Sequence, residues 1–445
     1  MSVTPATPTK APSRAAFYTA YVIAYTGAAV GIFGPAILAL FTRLTDLFPL
    51  EGEGMTAVNA LAIVGAVGAI AAALSNPLIG RLSDRTTARM GMRRTWILIS
   101  AVIFAIGMIA VAFAPPSLVF VTIGWAIAQI GYNGLLAVYT ALLPDQVSER
   151  NRGTIAAWLG VGLNASTLPA VWLVGLFAAG TVEFDSAGNA VGGTASDPWR
   201  FLAPLIIALV TAAVLFFALR GSDRRLSPEE VAPFSVGEFF GSFVFDPRRS
   251  WDYTWAWVSR FFFMLGIAYL LVYQTPYSQI HLGFEGADLD AVVLWGTLAI
   301  VAGCMLTGYV SGRLSDILRR RKVFVWGSAL IFGASLLLLA FAAPDQSGLP
   351  MALVGLFVGG LAQGVYFGVD LALATDVLPD KEKNAAKDLG VFNIASAVPQ
   401  FIAPFIAPAF LAVGGNGDNF AVLFTAAAAF SLVGALLVLP VRGVR

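Results

Sequence analysis

Twelve apolar stretches of roughly 20 residues or more follow one another along the 445 residues, and they decide most of what the chain can become. They lie at 17–41, 55–80, 95–114, 117–142, 153–179, 199–220, 253–280, 287–312, 323–342, 349–376, 386–412 and 419–440. A helix of ~20 mostly apolar residues crosses the hydrocarbon core of a bilayer. Charged residues make up only 12 % of the chain, against roughly 25 % in an ordinary soluble domain. A soluble fold of this size could not cover its surface with so few charges, so the outer surface must face lipid. The expected fold is therefore all-α and integral to the membrane, with twelve transmembrane helices. Glycine and proline recur inside the runs, which a membrane bundle tolerates because neighbouring helices satisfy the freed backbone groups.

The basic residues orient the bundle. With the N-terminus inside, all of the 27 Lys and Arg residues except Arg43, Arg200 and Arg260 fall in the tail, the cytoplasmic loops or the C-terminal end. The positive-inside rule then predicts a multi-pass protein of the cell membrane with both termini cytoplasmic. Residues 1–16 read as a disordered cytosolic tail, rich in Pro, Thr and Ser. Residues 17–220 form an N-terminal six-helix bundle, 221–250 a cytoplasmic linker, and 251–445 a C-terminal six-helix bundle. In the linker, an amphipathic segment around Phe239, Phe240 and Phe243 is expected on the inner membrane surface. The outer loop at 180–198 reads as a turn-rich flap. Trp96, Trp172 and Trp199 near span ends read as interfacial anchors.

Several function classes drop out. One cysteine, Cys304, and one histidine, His281, provide neither a disulfide framework nor a His/Cys metal site. His281 reads as a loop residue at the outer end of span 7. A net charge of +1 gives no nucleic-acid footprint. No Gly-x-x-x-x-Gly-Lys-Ser/Thr phosphate loop is present, which disfavours an ATP-driven pump. No nucleophile–base set appears, so an enzyme is not expected, nor is a cofactor. Movement of a solute across the bilayer is left.

The two halves repeat. Gly80-Arg81-Leu82-Ser83-Asp84 after span 2 returns as Gly312-Arg313-Leu314-Ser315-Asp316 after span 8. Leu143-Pro144-Asp145 returns as Leu378-Pro379-Asp380, and Leu159-Gly160-Val161 as Leu389-Gly390-Val391. Six spans per repeat leave both halves in one orientation, related by an axis along the membrane normal, as suits two bundles rocking about a central site. The Gly-x-x-x-Asp followed by basic residues, present in both halves, resembles the cytoplasmic loop signature of the major facilitator superfamily. The longer string from Asn76-Pro77-Leu78-Ile79-Gly80 through Asp84-Arg85-Thr86 to Gly91-Met92-Arg93-Arg94, with Ala141-Leu142-Leu143-x-Asp145, is similar to the sucrose and glycoside–cation symporter branch.

The resemblance implies two pseudo-symmetric six-helix bundles working by alternating access, as a monomer, on a small-molecule solute and a coupling cation, the proton. It also implies that helices 1, 4, 7 and 10 line the cavity. Polar stripes on those helices are the candidate substrate contacts: Tyr21 and Tyr25, beside Tyr18, in helix 1; Gln129, Tyr132 and Asn133, with Thr140, in helix 4; Gln274 in helix 7; Gln363 and Tyr366 in helix 10. Asn164, Asn393 and Gln400 are further candidates. Aromatic and amide groups suit a neutral polyhydroxylated ligand; the alternative for each is interhelical hydrogen bonding. Arg260 and Asp370 lie within spans, each about 12 Å from the inner boundary at 1.5 Å per residue. A lone charge there is costly. The two are expected to pair, either facing the central cavity in proton or substrate coupling, or as a structural pair. Candidate gating residues are Gly80, Asp84, Arg85, Arg93, Arg94, Asp145, Arg152, Gly312 and Asp316, with Asp84 a latch for the outward-open state and Asp145–Arg152 a further ion pair. Import of a sugar or glycoside by symport is the leading expectation. Efflux of drugs or metabolites by antiport is the alternative, weakened because Leu168, not glycine, precedes Pro169 in span 5.

Overall fold

A computed structural model describes residues 14–50, 55–185, 190–227, 229, 250–318, 320–378, 385–414 and 417–442, the side chains of 316, 371 and 385–390 excepted. Twelve helices are long and apolar enough to span a membrane: α1 Arg14–Thr45, α2 Ala57–Ser83, α3 Met92–Ala112, α4 Leu118–Gln146, α5 Glu149–Gly175, α6 Trp199–Ala218, α7 Trp251–His281, α8 Gly286–Ser315, α9 Arg321–Ala340, α10 Gln346–Val377, α11 Val391–Leu411 and α12 Phe420–Leu437. Each coincides with one apolar run of the sequence, its ends displaced by a few residues. Twelve crossings bring both ends of the described chain to one side of the bundle, here the termini side; the opposite side is the far side.

Small residues set the packing inside each half. A Cβ on Gly107 or Gly131 would stand within 2.2 Å of backbone on the partner helix, so α3 and α4 run backbone to backbone. In the second half Gly360 and Gly364 do the same for α10 against α8. Bilayers give helices no hydrophobic drive to associate, and close packing through small residues replaces it. Gly80 and Gly312 occupy equivalent places in this scheme: Gly80 faces Ala137 of α4, and Gly312 faces the Gly368 carbonyl of α10.

Helix starts are capped by side chains that accept from the first free N–H groups: Thr56 from Asn59 before α2, Ser117 from Phe120 before α4, Ser250 from Tyr253 before α7, and Asn419 from Val422 before α12. Two helices widen locally into π turns on their far-side halves, α1 at Pro35–Ala39 and α7 at Tyr277–His281. His281, expected in a loop, instead ends α7 in that π turn. The flap at 180–198 holds a small antiparallel hairpin, β1 Glu183–Phe184 against β2 Ala190–Gly192. It is tied to the end of α1 where Asp46 Oδ2 accepts the Ser196 N–H at 2.9 Å. Burial pushes the Asp46 carboxyl above its ordinary value, more than Ser196 and Arg43 pull it down. Phe239, Phe240 and Phe243 lie outside the described residues.

Candidate functional site

A cavity of about 1120 Å³ lies between the two bundles. Helix α2 lines it from Leu61, near the far side, to Arg81, near the termini side, so the space extends toward the termini side. Its wall carries eight amide side chains: Asn76, Gln129, Asn133, Asn164, Gln274, Gln363, Asn393 and Gln400. No carboxylate is among the described lining residues, and Arg81 is the one lining residue with a formal charge. Each amide offers two N–H donors and a carbonyl acceptor. Trp125 and Phe367 add rings, while Leu61, Ile267, Leu271, Ile300 and Val301 supply apolar wall between the amides. A wall of this kind offers a small molecule apolar surface with a few placed hydrogen-bonding groups to orient it.

On the far side the cavity is shut. Arg200 of α6 reaches Asp290 of α8 through two hydrogen bonds of 2.7 Å, and its Nη1 also donates to the Phe177 carbonyl at 2.7 Å. Arg200 is 0 % exposed and Asp290 7 %, so this bidentate pair is withdrawn from water at the junction of the two bundles. Nearby, Thr275 of α7 donates its hydroxyl to the Ile37 carbonyl inside the π turn of α1. Gly65 of α2 packs against Pro404 of α11. Sequence reading missed Arg200 and Asp290. The available signal was that Arg200 is a basic residue on the side that the charge rule keeps free of them.

The termini side is organised differently. Arg93, at the start of α3, donates from Nε to Asp145 at 2.7 Å and from Nη1 to Ser83 at 2.8 Å, and its Nη2 lies 2.7 Å from Asp84. All these partners belong to the first bundle, so Asp84 makes no contact across the bundles through Arg93. Arg94 donates to the Phe216 carbonyl at the end of α6 at 2.9 Å and stacks on the Phe216 ring, 4.2 Å from its centroid. Asp223 returns the favour by accepting the Arg93 and Arg94 N–H groups at the α3 N-terminus. There an anion meets free donors and the helix dipole. The expected Asp145–Arg152 pair does not form. Arg93 takes Asp145, and Arg152 closes the end of α4 by donating to the Pro144 and Val147 carbonyls. Arg85 follows Asp84 at the end of α2. The Asp316 side chain, and Asp380, lie outside the described set.

Of the eight residues expected to touch substrate, Gln129, Tyr132, Asn133, Gln274 and Gln363 line the cavity, as do Asn164, Asn393 and Gln400. Tyr21, Tyr25 and Tyr366 do not. Tyr21 is fully buried and donates to the Tyr139 carbonyl, and Tyr25 packs on the Tyr139 ring, so their stripe ties α1 to α4. Tyr366 is buried against Phe263, ring centroids 3.7 Å apart and nearly parallel. A helical stripe gives the side that carries polar groups, and for α1 that side faces a neighbour in the same bundle. Trp125, missed at the sequence level, stands four residues before Gln129 on the same face, so helical spacing alone could have found it.

Arg260 and Asp370 do pair, within the second bundle. Arg260 Nη1 bonds Asp370 Oδ2, Nε donates to Ser396 Oγ of α11 at 2.7 Å, and the guanidinium lies over the Phe392 ring at 4.9 Å from its centroid. Neither charge is on the cavity wall. Phe367, one helical turn before Asp370, is, as are Asn393 and Ala397, which adjoin Phe392 and Ser396, so the expected exposure of the pair to the cavity is not seen.

The model of the Major Facilitator Superfamily matches residues 16–313 and 295–445. The sucrose transport protein SUT2 of Oryza sativa subsp. indica is 22 % identical over 84 % of each chain. The isoprimeverose transporter of Lactiplantibacillus pentosus is 23 % identical over 76 % of this chain and 68 % of its own. Among solved structures, a bacterial homolog of the human lysosomal transporter Spinster, inward-facing and unoccupied, superposes with a TM-score of 0.71 at 16 % identity, covering 98 % of this chain and 99 % of its own. The nucleoside transporter NupG superposes with a TM-score of 0.70 at 12 % identity, covering 96 % and 99 %. With twelve spanning helices, a central cavity between two bundles and a family match along nearly its whole length, the chain belongs to the major facilitator superfamily of membrane transporters.

Proposed function

We propose that this transporter imports a neutral polyhydroxylated solute, a sugar or glycoside, by proton symport. The observation that carries the reading is the cavity wall, with eight amides and no described carboxylate. Hydroxyls exchange hydrogen bonds with amides without the desolvation cost of a buried charge. Relatives that are sucrose and isoprimeverose transporters support the same class. The basic loops support a cytoplasmic termini side, with residues 17–220 and 251–445 as the two rocking units and 221–250 as their linker. The cavity then opens inward, and Arg200–Asp290 closes the outside. Gln129, Tyr132, Asn133, Gln274 and Gln363 contact the solute. Arg260 and Asp370 serve coupling: protonation of Asp370 releases Arg260 to Ser396 and Phe392, which links proton uptake to the packing of α7, α10 and α11. One chain holds both bundles and the whole cavity, so a monomer suffices.

Proteoliposomes given sucrose and a panel of neutral glycosides, with and without an imposed pH gradient, test this. Accumulation should require the gradient and collapse with a protonophore. Asp370→Ala should keep solute exchange and lose accumulation. Removing one partner of a buried pair strands the other, so Arg260→Ala/Asp370→Ala should regain stability over either single variant without regaining accumulation. Gradient-driven expulsion of solute would favour antiport, and normal accumulation in both single variants would remove the pair from coupling.

A further inference from the structure

Helices α4 and α10 carry one local sequence twice. Ala128-Gln129-Ile130-Gly131-Tyr132-Asn133-Gly134 matches Ala362-Gln363-Gly364-Val365-Tyr366-Phe367-Gly368 at alanine, glutamine, tyrosine and the last glycine, 234 residues apart. Gln129 and Gln363 therefore reach the same cavity from opposite bundles, at equivalent positions. Their hydrogen bonding differs. Gln129 Oε1 accepts from Asn133 Nδ2 at 3.3 Å. Gln363 is 5 % exposed, and its Nε2 is buried without a hydrogen-bond partner. A buried amide donor left unpaired is unfavourable, and a ligand oxygen would relieve it.

The position beside each tyrosine also differs. Asn133 on α4 is answered by Phe367 on α10, a residue 44 % exposed that lines the cavity, its ring held edge-on to Tyr366 with centroids 5.9 Å apart. One bundle thus offers an amide where the other offers an apolar ring. A hydroxyl pressed against the phenyl would lose water and gain no partner. An apolar group there removes hydrocarbon surface from water on both sides of the contact.

We propose that the cavity distinguishes the two ends of one solute: a hydroxyl-bearing ring against Gln129 and Asn133, an apolar substituent against Phe367, and an acceptor oxygen between them on Gln363 Nε2. The chemical class is a neutral glycoside with an apolar aglycone, favoured over an all-hydroxyl disaccharide. This rests on the neutral-sugar reading above, with Phe367 and Gln363 as the specificity-determining residues.

Calorimetric titration of the purified full-length protein with matched pairs tests it, the glycosyl unit held constant: phenyl β-D-glucoside against cellobiose, phenyl α-D-glucoside against maltose, phenyl β-D-galactoside against lactose. In the pair that binds, the phenyl glycoside should bind about tenfold more tightly than its disaccharide. Phe367→Asn should reduce that ratio about tenfold, and Phe367→Leu, which keeps an apolar contact, should leave most of it. Gln363→Leu should weaken both members of the pair by about tenfold, since both carry the glycosidic oxygen. Equal wild-type affinities, or an unchanged ratio in both Phe367 variants, overturn the end discrimination while the sugar reading stands. Binding of no member of any pair overturns both.

Discussion

Arginine meets aspartate at both ends of this molecule, with opposite mechanical consequences. On the termini side Arg93 gathers Asp84, Asp145 and Ser83, all from the first bundle. On the far side Arg200 and Asp290 belong to different bundles. A pair within one bundle survives any rocking of that bundle as a body. A pair across the junction exists in one state and must break in the other. The loop arginines thus make α2, α3, α4 and α6 into one rigid piece, and the far-side pair weights the equilibrium between the two arrangements of that piece.

The comparison breaks most readily at Arg200. Arg200→Ala leaves Asp290 buried and unpaired, a loss of about 3–5 kcal/mol from the closed far side. Since every 1.4 kcal/mol is tenfold in population, hydrogen exchange at 37–46 and 286–292 should accelerate by about two to three and a half orders of magnitude. Arg200→Ala/Asp290→Ala should recover most of the protection. Wild-type exchange in the single variant would mean that the pair does not hold the far side shut.

Arg93→Ala should act on stability alone. Its partners are partly solvated, 57 % exposed for the Asp84 side chain and 26 % for Asp145, so the loss is smaller, about 1–2 kcal/mol. We expect a melting temperature lower by roughly 2–4 °C with unchanged far-side exchange. Faster exchange on the far side would show the two ends to be coupled and would erase the distinction drawn between them.

The smallest expected effect on stability is that of Asp84→Asn, under about 1 kcal/mol, because the carboxylate is more than half exposed. Its interest is functional. In this arrangement Asp84 pairs with Arg93 of its own bundle, and we propose that in the opposite one its charge serves as a latch. The variant should insert and melt like the wild type and yet slow net flux in proteoliposomes. Full flux would reduce Asp84 to a partner of Arg93.

The fold was legible because its signals are one-dimensional: run length for the spans, and Gly80 and Gly312 for the repeat. The cavity was legible where a polar stripe lay on a helix that faces the centre, as with Gln129 and Asn133. It was misread for Tyr21 and Tyr25, since a stripe does not say whether its side faces the cavity or the next helix. Partners were the hardest to read. Arg93 and Asp145 are 52 residues apart and Arg200 and Asp290 are 90, separations only the tertiary structure closes. The two arginines that broke the charge asymmetry, Arg43 and Arg200, both turned out to be in buried ion pairs, with Asp46 and Asp290. Exceptions to a topology rule were thus the best pointers to residues with another task.

Cys304 stands on α8 in the cavity wall and is the single cysteine of the chain. A thiol-selective alkylating reagent has one address in the whole protein, and that address is in the wall of the central cavity. Mass spectrometry of the unaltered protein therefore becomes an occupancy meter. The rate at which one adduct appears reports how freely the chamber is reached, and the protection a candidate compound confers reports that it has entered, with no engineered label and no cysteine-free background.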